Sequence, residues 1–505
     1  MTVLHAQQPC ARCHPAEVTA FEKSPMARSV GPPSVSEPGR IVHKLSGSTL
    51  TIEQNGAQME HAVAQRGVTA KYPVSYSVGA GMVGYSYMVR LGKYLYQSPI
   101  SYYSQTKSWD LTPGYESERR VDFTHQVSSG CLFCHTGSVN LVTGTVNQFN
   151  DPPFTAISCE RCHGPSAEHL KNPVPGSIVN PAKLSGGYRD SVCEQCHLEG
   201  DARVLNPGRD WWDFQAGKAT ESVFVTYLKR SDPGNLRAVS QSELLARSQC
   251  AQRSGGALWC GSCHNPHRET QHRAKEVRDV CLSCHANLFT AGLTTGRHQP
   301  ASECVSCHMP RLTPTNVAHS AVTDHSIPRV PHKQAAAAPG RLPELRAWRE
   351  PANAEEGRRD LGLAYFELAT STKAAPDLRE AYQILAQLPP KKRLVDPAVE
   401  ADLGSVLLAE DQVRLAVQLF QNALVLEPQN ARYAYCLGTA LERAGDSGNA
   451  LKELRRSIEL DPSQPDAYLA LAEFYKRKGH DAESQAAIRE YLRFMPQNIG
   501  LRSTK

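Results

Sequence analysis

The stretch Cys159-Glu-Arg-Cys-His-Gly-Pro-Ser-Ala-Glu-His169 decides how this chain folds. Its first five residues follow the pattern Cys-x-x-Cys-His, which recurs with the pairs Cys10/Cys13, Cys131/Cys134, Cys159/Cys162, Cys193/Cys196, Cys260/Cys263, Cys281/Cys284 and Cys304/Cys307. Two intervening residues place both sulfurs on one turn of backbone, matched to the two vinyl positions of a porphyrin. The next residue then points its imidazole at the iron, and the pattern is the attachment signature of a c-type haem. With 16 Cys and 19 His in 505 residues, about 0.02 such patterns are expected by accident.

Seven motifs predict seven haem c groups, with His14, His135, His163, His197, His264, His285 and His308 as the proximal iron ligands. Structural zinc consumes Cys-x-x-Cys pairs two at a time and does not require His after every second Cys. A thioredoxin-like motif would occur once. The motifs span residues 10 to 308, about 43 residues per haem, too few to wrap each ring in its own core. The haems are therefore expected to pack on one another and to serve as the core.

The tail of the opening stretch carries a topological consequence. His169 lies six residues after His163, and His267 three residues after His264 in Cys-His-Asn-Pro-His. Neither tether reaches around a porphyrin to the far face of its own haem, so each is expected to ligate a neighbouring haem. Isolated His125, His298 and His325 are further candidate distal ligands, and Met26 is the candidate for the first haem, against a packing methionine. His5, His43, His61, His272, His319 and His332 are unranked candidates for the remaining positions. Two cysteines lie outside the motifs. Cys436 reads as a buried apolar residue, and Cys250 either as an inert thiol, the commoner outcome, or as a distal thiolate or catalytic group.

Covalent haem attachment takes place outside the cytoplasm, so the chain is expected to be exported to the periplasm or cell exterior. No apolar run of transmembrane length is present, and Met1 to Gln8 lacks the regions of a signal peptide. The formal charge of +5 is offset by roughly one negative charge per ferric haem with ionised propionates. No basic run argues for nucleic-acid binding.

Residues 40–105 read differently from the rest. Leu50-Thr-Ile-Glu before Asn55-Gly56, and Tyr72-Pro-Val-Ser-Tyr-Ser-Val, alternate apolar and polar residues around turn signals, predicting a small β-rich insert. Beyond residue 350, Pro428, Pro462 and Pro496 recur at 34-residue spacing, as do Gly404 and Gly438, Ala416 and Ala450, and Gly445 and Gly479. That period is similar to the tetratricopeptide repeat, in which small residues let paired helices approach. The expected architecture is multidomain. A haem-cored, mostly irregular and short-helical cytochrome domain occupies 1–332, a Pro/Ala-rich linker 333–349, and an all-α tetratricopeptide repeat solenoid 350–505.

The run through His169 resembles the haem motif of multihaem cytochromes related to the tetrahaem cytochrome of ammonia oxidisers, pentahaem nitrite reductase and octahaem hydroxylamine oxidoreductase. Cys260 to His267, followed by Cys281-Leu-Ser-Cys-His, is similar to the doubled-motif module of the same group. The resemblance implies electron transfer, with distal roles for His169 and His267. No Cys-x-x-Cys-Lys is present, so the lysine-ligated haem of the nitrite reductases is absent. Two functions follow as expectations. The first is an electron conduit whose repeats dock a redox partner or another copy of the chain. The alternative is a reductase or oxidase of a small nitrogen or sulfur compound at one open haem.

Overall fold

The computed structural model describes residues 8–494, apart from 36, 66, 151–153, 230–235, 269–273, 302, 331–343, 352 and 373–374. His5, His272, His332, Pro496 and most of the Pro/Ala-rich linker lie outside the described residues.

The β-rich insert is an antiparallel meander. Strands β2 (Gly39–His43), β3 (Ser48–Asn55), β4 (Gln58–Gln65), β5 (Val68–Val78), β6 (Gly84–Leu91), β7 (Tyr94–Tyr103) and β8 (Ser108–Leu111) follow one another in space. The short β1 (Val30–Gly31) adds to β5. Alternation sets the register: Leu50 and Ile52 of β3 are buried while Thr51 and Glu53 are not. Gly56 takes φ +61° in the turn joining β3 to β4, where Asn55 pairs with Gln58. Trp109 of β8 covers Gly39 of β2 and donates to the Glu37 carbonyl, drawing the ends of the meander together. Tyr87 and Tyr96 are core residues of this sheet, so the tyrosine-rich stretch packs the insert.

The C-terminal part consists of antiparallel helix pairs: Ala354–Thr372 with Ala375–Ala386, Pro397–Ala409 with Val413–Leu426, Ala431–Arg443 with Ser447–Leu460, and Pro465–Arg477 with Asp481–Phe494. The repeating glycines permit the close approach. A Cβ on Gly404 would meet Phe420 at 2.9 Å, and one on Gly438 would meet Leu454 at 2.8 Å. The repeats also pack on the N-terminal part. Tyr468 and Tyr491 of the last pair join the core of the β-sheet. Ser463 accepts from Tyr96 through its carbonyl, and its hydroxyl donates to Asn147.

The end of the linker is ordered. Leu345–Ala347 pairs with strand Phe224–Lys229, which also pairs with Ala202–Leu205. Trp348 and Arg349 then bond the carboxylate of Glu194, a residue inside the fourth Cys-x-x-Cys-His. The junction to the repeats is thereby fastened to a motif.

One region has almost no protein core. Between Leu244 and Pro314 no apolar side chain is buried among the described residues, although this stretch carries three motifs. The 21-residue helix Ala274–Thr294 holds the sixth motif, and Leu288 on it is 66% exposed. An isolated helix with uncovered apolar residues is marginal in water.

Candidate functional site

Each motif sits on a helical turn. The amide of His14 donates to the Cys10 carbonyl at 2.8 Å, His163 to Cys159 at 2.9 Å and His264 to Cys260 at 2.9 Å. One turn therefore holds both thiols and the imidazole, as the spacing requires.

The imidazoles come together in facing pairs. His14 and His169 lie with ring centroids 6.4 Å apart at 19°, and His163 and His267 5.9 Å apart at 12°. His264 and His325 are 6.2 Å apart at 31°, and His298 and His308 6.4 Å apart at 69°. Two imidazoles bonded trans to one metal through bonds of about 2.0 Å have ring centroids about 6.2 Å apart. The four pairs fit an iron between their rings and are too far apart for direct ring stacking.

Nδ1 contacts fix the orientation of several rings. His163 Nδ1 donates to the Val179 carbonyl at 2.7 Å, His308 Nδ1 to Pro328 at 3.0 Å and His325 Nδ1 to Thr323 at 2.9 Å. Ser177 donates its hydroxyl proton to the Val174 carbonyl and so accepts from His169 Nδ1 at 2.8 Å. Each bond leaves Nε2 unprotonated, the tautomer of a ligating histidine. Burial also lowers the pKa of His135, His197, His264, His267 and His325. Neutral rings are the form that binds a metal.

Thiols of different motifs are direct neighbours: Cys10 with Cys159, Cys134 with Cys196, Cys193 with Cys260 and Cys281 with Cys304. Cys162 and Cys263 bring the third motif to the fourth and the fifth to the sixth. All seven motifs form one connected cluster, although the second is separated by a long stretch from the first.

The motif thiols differ in exposure. Cys13, Cys131, Cys284 and Cys307 are exposed, whereas the other ten are partly covered. Cys13 and Cys307 belong to the first and seventh motifs, which, like the second, are ends of the connected cluster. There the chain covers only one thiol of each pair: Cys10 lies against Cys159 and Cys304 against Cys281, while Cys13 and Cys307 face outward. Cys131, Cys284 and Cys307 each lie near a serine, Ser128 at 3.3 Å, Ser283 at 3.9 Å and Ser306 at 3.9 Å.

Other candidates lie elsewhere. Met26 opens a 3-10 turn, Met26–Arg28, and the ring facing His14 is that of His169. His125 is exposed and stacks on Tyr115 at 4.2 Å. His61 bonds Ser98 inside the β-sheet, His43 bonds Ser46, and His319 pairs with Asp110. Beside the second and fourth motifs, Arg161 lies over Phe133, and Arg203 approaches Cys134 Sγ at 3.9 Å. Neither arginine was singled out by sequence, because its proximity depends on how the motifs pack.

Comparison with known proteins finds matches in both parts of the chain. Residues 401–465 and 437–499 match the tetratricopeptide repeat, residues 252–289 the doubled CXXCH motif, and residues 100–164 cytochrome c554 and c-prime. Over 202 residues the chain is 27% identical to the multiheme cytochrome MtrA of Shewanella baltica (strain OS185), covering 36% of this chain and 59% of that protein. The chain thus spans less than two thirds of that relative's length. Among solved structures, MamA is 21% identical over 28% of this chain and 78% of its own, with a TM-score of 0.25. YrrB, a tetratricopeptide protein with an unusual peptide-binding site, is 18% identical over 30% and 73%, with a TM-score of 0.26. The attachment motifs and the sequence matches together make this chain a multihaem c-type cytochrome with a C-terminal array of tetratricopeptide repeats.

Proposed function

We propose that the seven motifs hold seven haem c groups, which form the core of the region poor in buried apolar residues, and that the chain conducts electrons along them. The bound haems supply one-electron exchange at iron. The chain supplies the axial ligands and the spacing. His169 serves the iron of His14, His267 that of His163, His325 that of His264 and His298 that of His308.

The facing imidazole pairs carry this reading. His169 belongs to the segment of the third motif and His267 to that of the fifth, so these distal ligands tie the first haem to the third and the third to the fifth. The thiol neighbours extend the series through the fourth, sixth and seventh, with the second branching from the fourth. Imidazole on both faces leaves no open iron in those four positions, which supports transfer over catalysis.

The chemistry of attachment supports a location outside the cytoplasm, in the periplasm or at the cell exterior, and no described helix is long and apolar enough to cross a membrane. The repeats present a groove of about 560 Å³ lined by Tyr435, Thr439, Glu442, Asp466, Glu473 and Arg477, suited to an extended segment of a redox partner or another copy. Thr439→Arg would fill it, and unchanged partner binding or self-association would remove the docking role.

Pyridine haemochrome assay and electron paramagnetic resonance of the oxidised protein test the main reading. Seven haems per chain and predominantly low-spin ferric signals are expected. Fewer than seven, or a high-spin signal that shifts on adding nitrite, hydroxylamine or sulfite, would overturn it in favour of a reductase or oxidase.

A further inference from the structure

The sixth motif is faced by sulfur. Cys250 Sγ lies 4.0 Å from Nε2 of His285, and the same thiol neighbours Cys281 of that motif. Cys250 stands on the short helix Gln249–Arg253, whose cap Ser248 accepts from the Ala251 amide at 3.1 Å. His285 is the one residue of helix Ala274–Thr294 with non-helical torsions, φ −109° and ψ 16°. The kink and the cap orient a thiol and an imidazole toward each other from two separate elements.

The separation fits a metal held between the two atoms. A metal bonded to imidazole nitrogen at about 2.0 Å and to thiolate sulfur at about 2.3 Å holds trans ligand atoms about 4.3 Å apart, and cis ones near 3 Å. The observed 4.0 Å is close to the trans value and at the outer limit of an N–H···S contact. The four imidazole pairs of this domain are also spaced for an iron, judged by their ring centroids.

We infer that Cys250 is the distal ligand of the haem attached at Cys281 and Cys284, giving that iron histidine–thiolate coordination. The inference rests on the proposal that this motif holds haem. On binding, the Cys250 S–H bond breaks, its proton leaves to solvent, and the sulfur electron pair forms the bond to iron, with no change in oxidation state. An anionic thiolate stabilises ferric over ferrous iron, so this haem is the last of the bound set to be reduced. Between the fifth and seventh motifs it acts as a step in potential and not as an equal link.

The test uses the full-length protein carrying its haems. Oxidised wild type is expected to show, beside the broad bis-imidazole signals, one low-spin signal of narrow g-spread accounting for one haem, with the matching near-infrared thiolate-to-iron band in magnetic circular dichroism. Cys250→His should replace it with one more bis-imidazole signal and move one reductive step to higher potential, while Cys436→Ala leaves every signal in place. Seven haems by pyridine haemochrome with no narrow signal in wild type would overturn the thiolate while leaving the conduit intact. A haem count below seven with the sixth motif empty would instead remove the reading beneath it. If Cys250→His fails to accumulate, the wild-type spectra decide alone.

Discussion

The imidazole of His267 lies nearly parallel to that of His163, with centroids 5.9 Å apart at 12°, although 103 positions separate them in the chain. In the proposed arrangement the short tether of His267 to His264 keeps it off its own haem, and the Val179 carbonyl fixes the facing His163 ring through Nδ1. Replacing His267 by Ala should convert one low-spin haem to a high-spin or water-ligated form while leaving the haem count at seven. Electron paramagnetic resonance with haem quantitation checks this. An unchanged low-spin population would show that the His163 iron is ligated by something else.

The seventh motif depends on a glycine. A Cβ at Gly292 would overlap the ring of His298, which faces His308 and stacks on Phe289 at 5.3 Å. Gly292 is within the helix of the sixth motif, where Ala is favoured by about 1 kcal/mol. Gly292→Ala should therefore stabilise the helix locally and yet displace His298, raising the high-spin fraction by one haem. Retention of all low-spin signals in that variant would separate His298 from the iron of His308.

The β-sheet carries a different histidine and a pH dependence. His61 bonds Ser98 at 2.7 Å and packs edge-on against Tyr87 and Trp109. Burial pushes its pKa down from 6.5 to about 3. The folded state binds fewer protons than the unfolded chain between those values, so stability is full above pH 6.5 and is lost as pH falls toward 3. At pH 5 the loss is about 2 kcal/mol. Urea titrations at pH 7 and pH 5 should show it in the wild type and show a smaller difference in His61→Phe.

The motifs, the 34-residue phase and the alternating strands were legible because each is a local pattern. Helix pairs bound by Gly404 and Gly438, and the turn at Asn55-Gly56, follow from spacing alone. The distal partners were only partly legible. His169 and His267 could be excluded from their own haems by tether length, but which motif histidine His325 faces depends on the chain path around residues 310–325. Met26 was a candidate for the first haem by nearness in sequence, whereas the ring that faces His14 is His169, brought there by the fold. The pairing of Cys250 with His285 is likewise a relation between two elements, and sequence left it beside the more common inert thiol.

The docking of the repeats on the sheet should be measurable. Tyr491 is 1% exposed and belongs to the sheet's apolar core as well as to the last helix pair. Truncating a buried aromatic of this size costs about 3–5 kcal/mol. Tyr491→Ala should lower the melting temperature and expose the last repeat to limited proteolysis while leaving the haem spectra unchanged. Loss of haem signals would mean that the repeats are needed to assemble the cytochrome part.

The stretch from 245 to 313 offers the sharpest test of what holds the N-terminal part together. With no buried apolar side chain among its described residues, it has little hydrophobic gain to set against a backbone ordering cost of about 1–2 kcal/mol per residue. The sheet and the repeats have cores of their own. Chain made in the cytoplasm, where haem is not attached, should therefore keep slow amide exchange in the sheet and in the repeats. In the same sample, helix Ala274–Thr294 should exchange at the rate of an unfolded peptide, and it should become protected in the haem-loaded protein. Equal protection in both forms would mean that this segment folds on protein contacts alone, and the haems would then be decoration on the fold instead of its core.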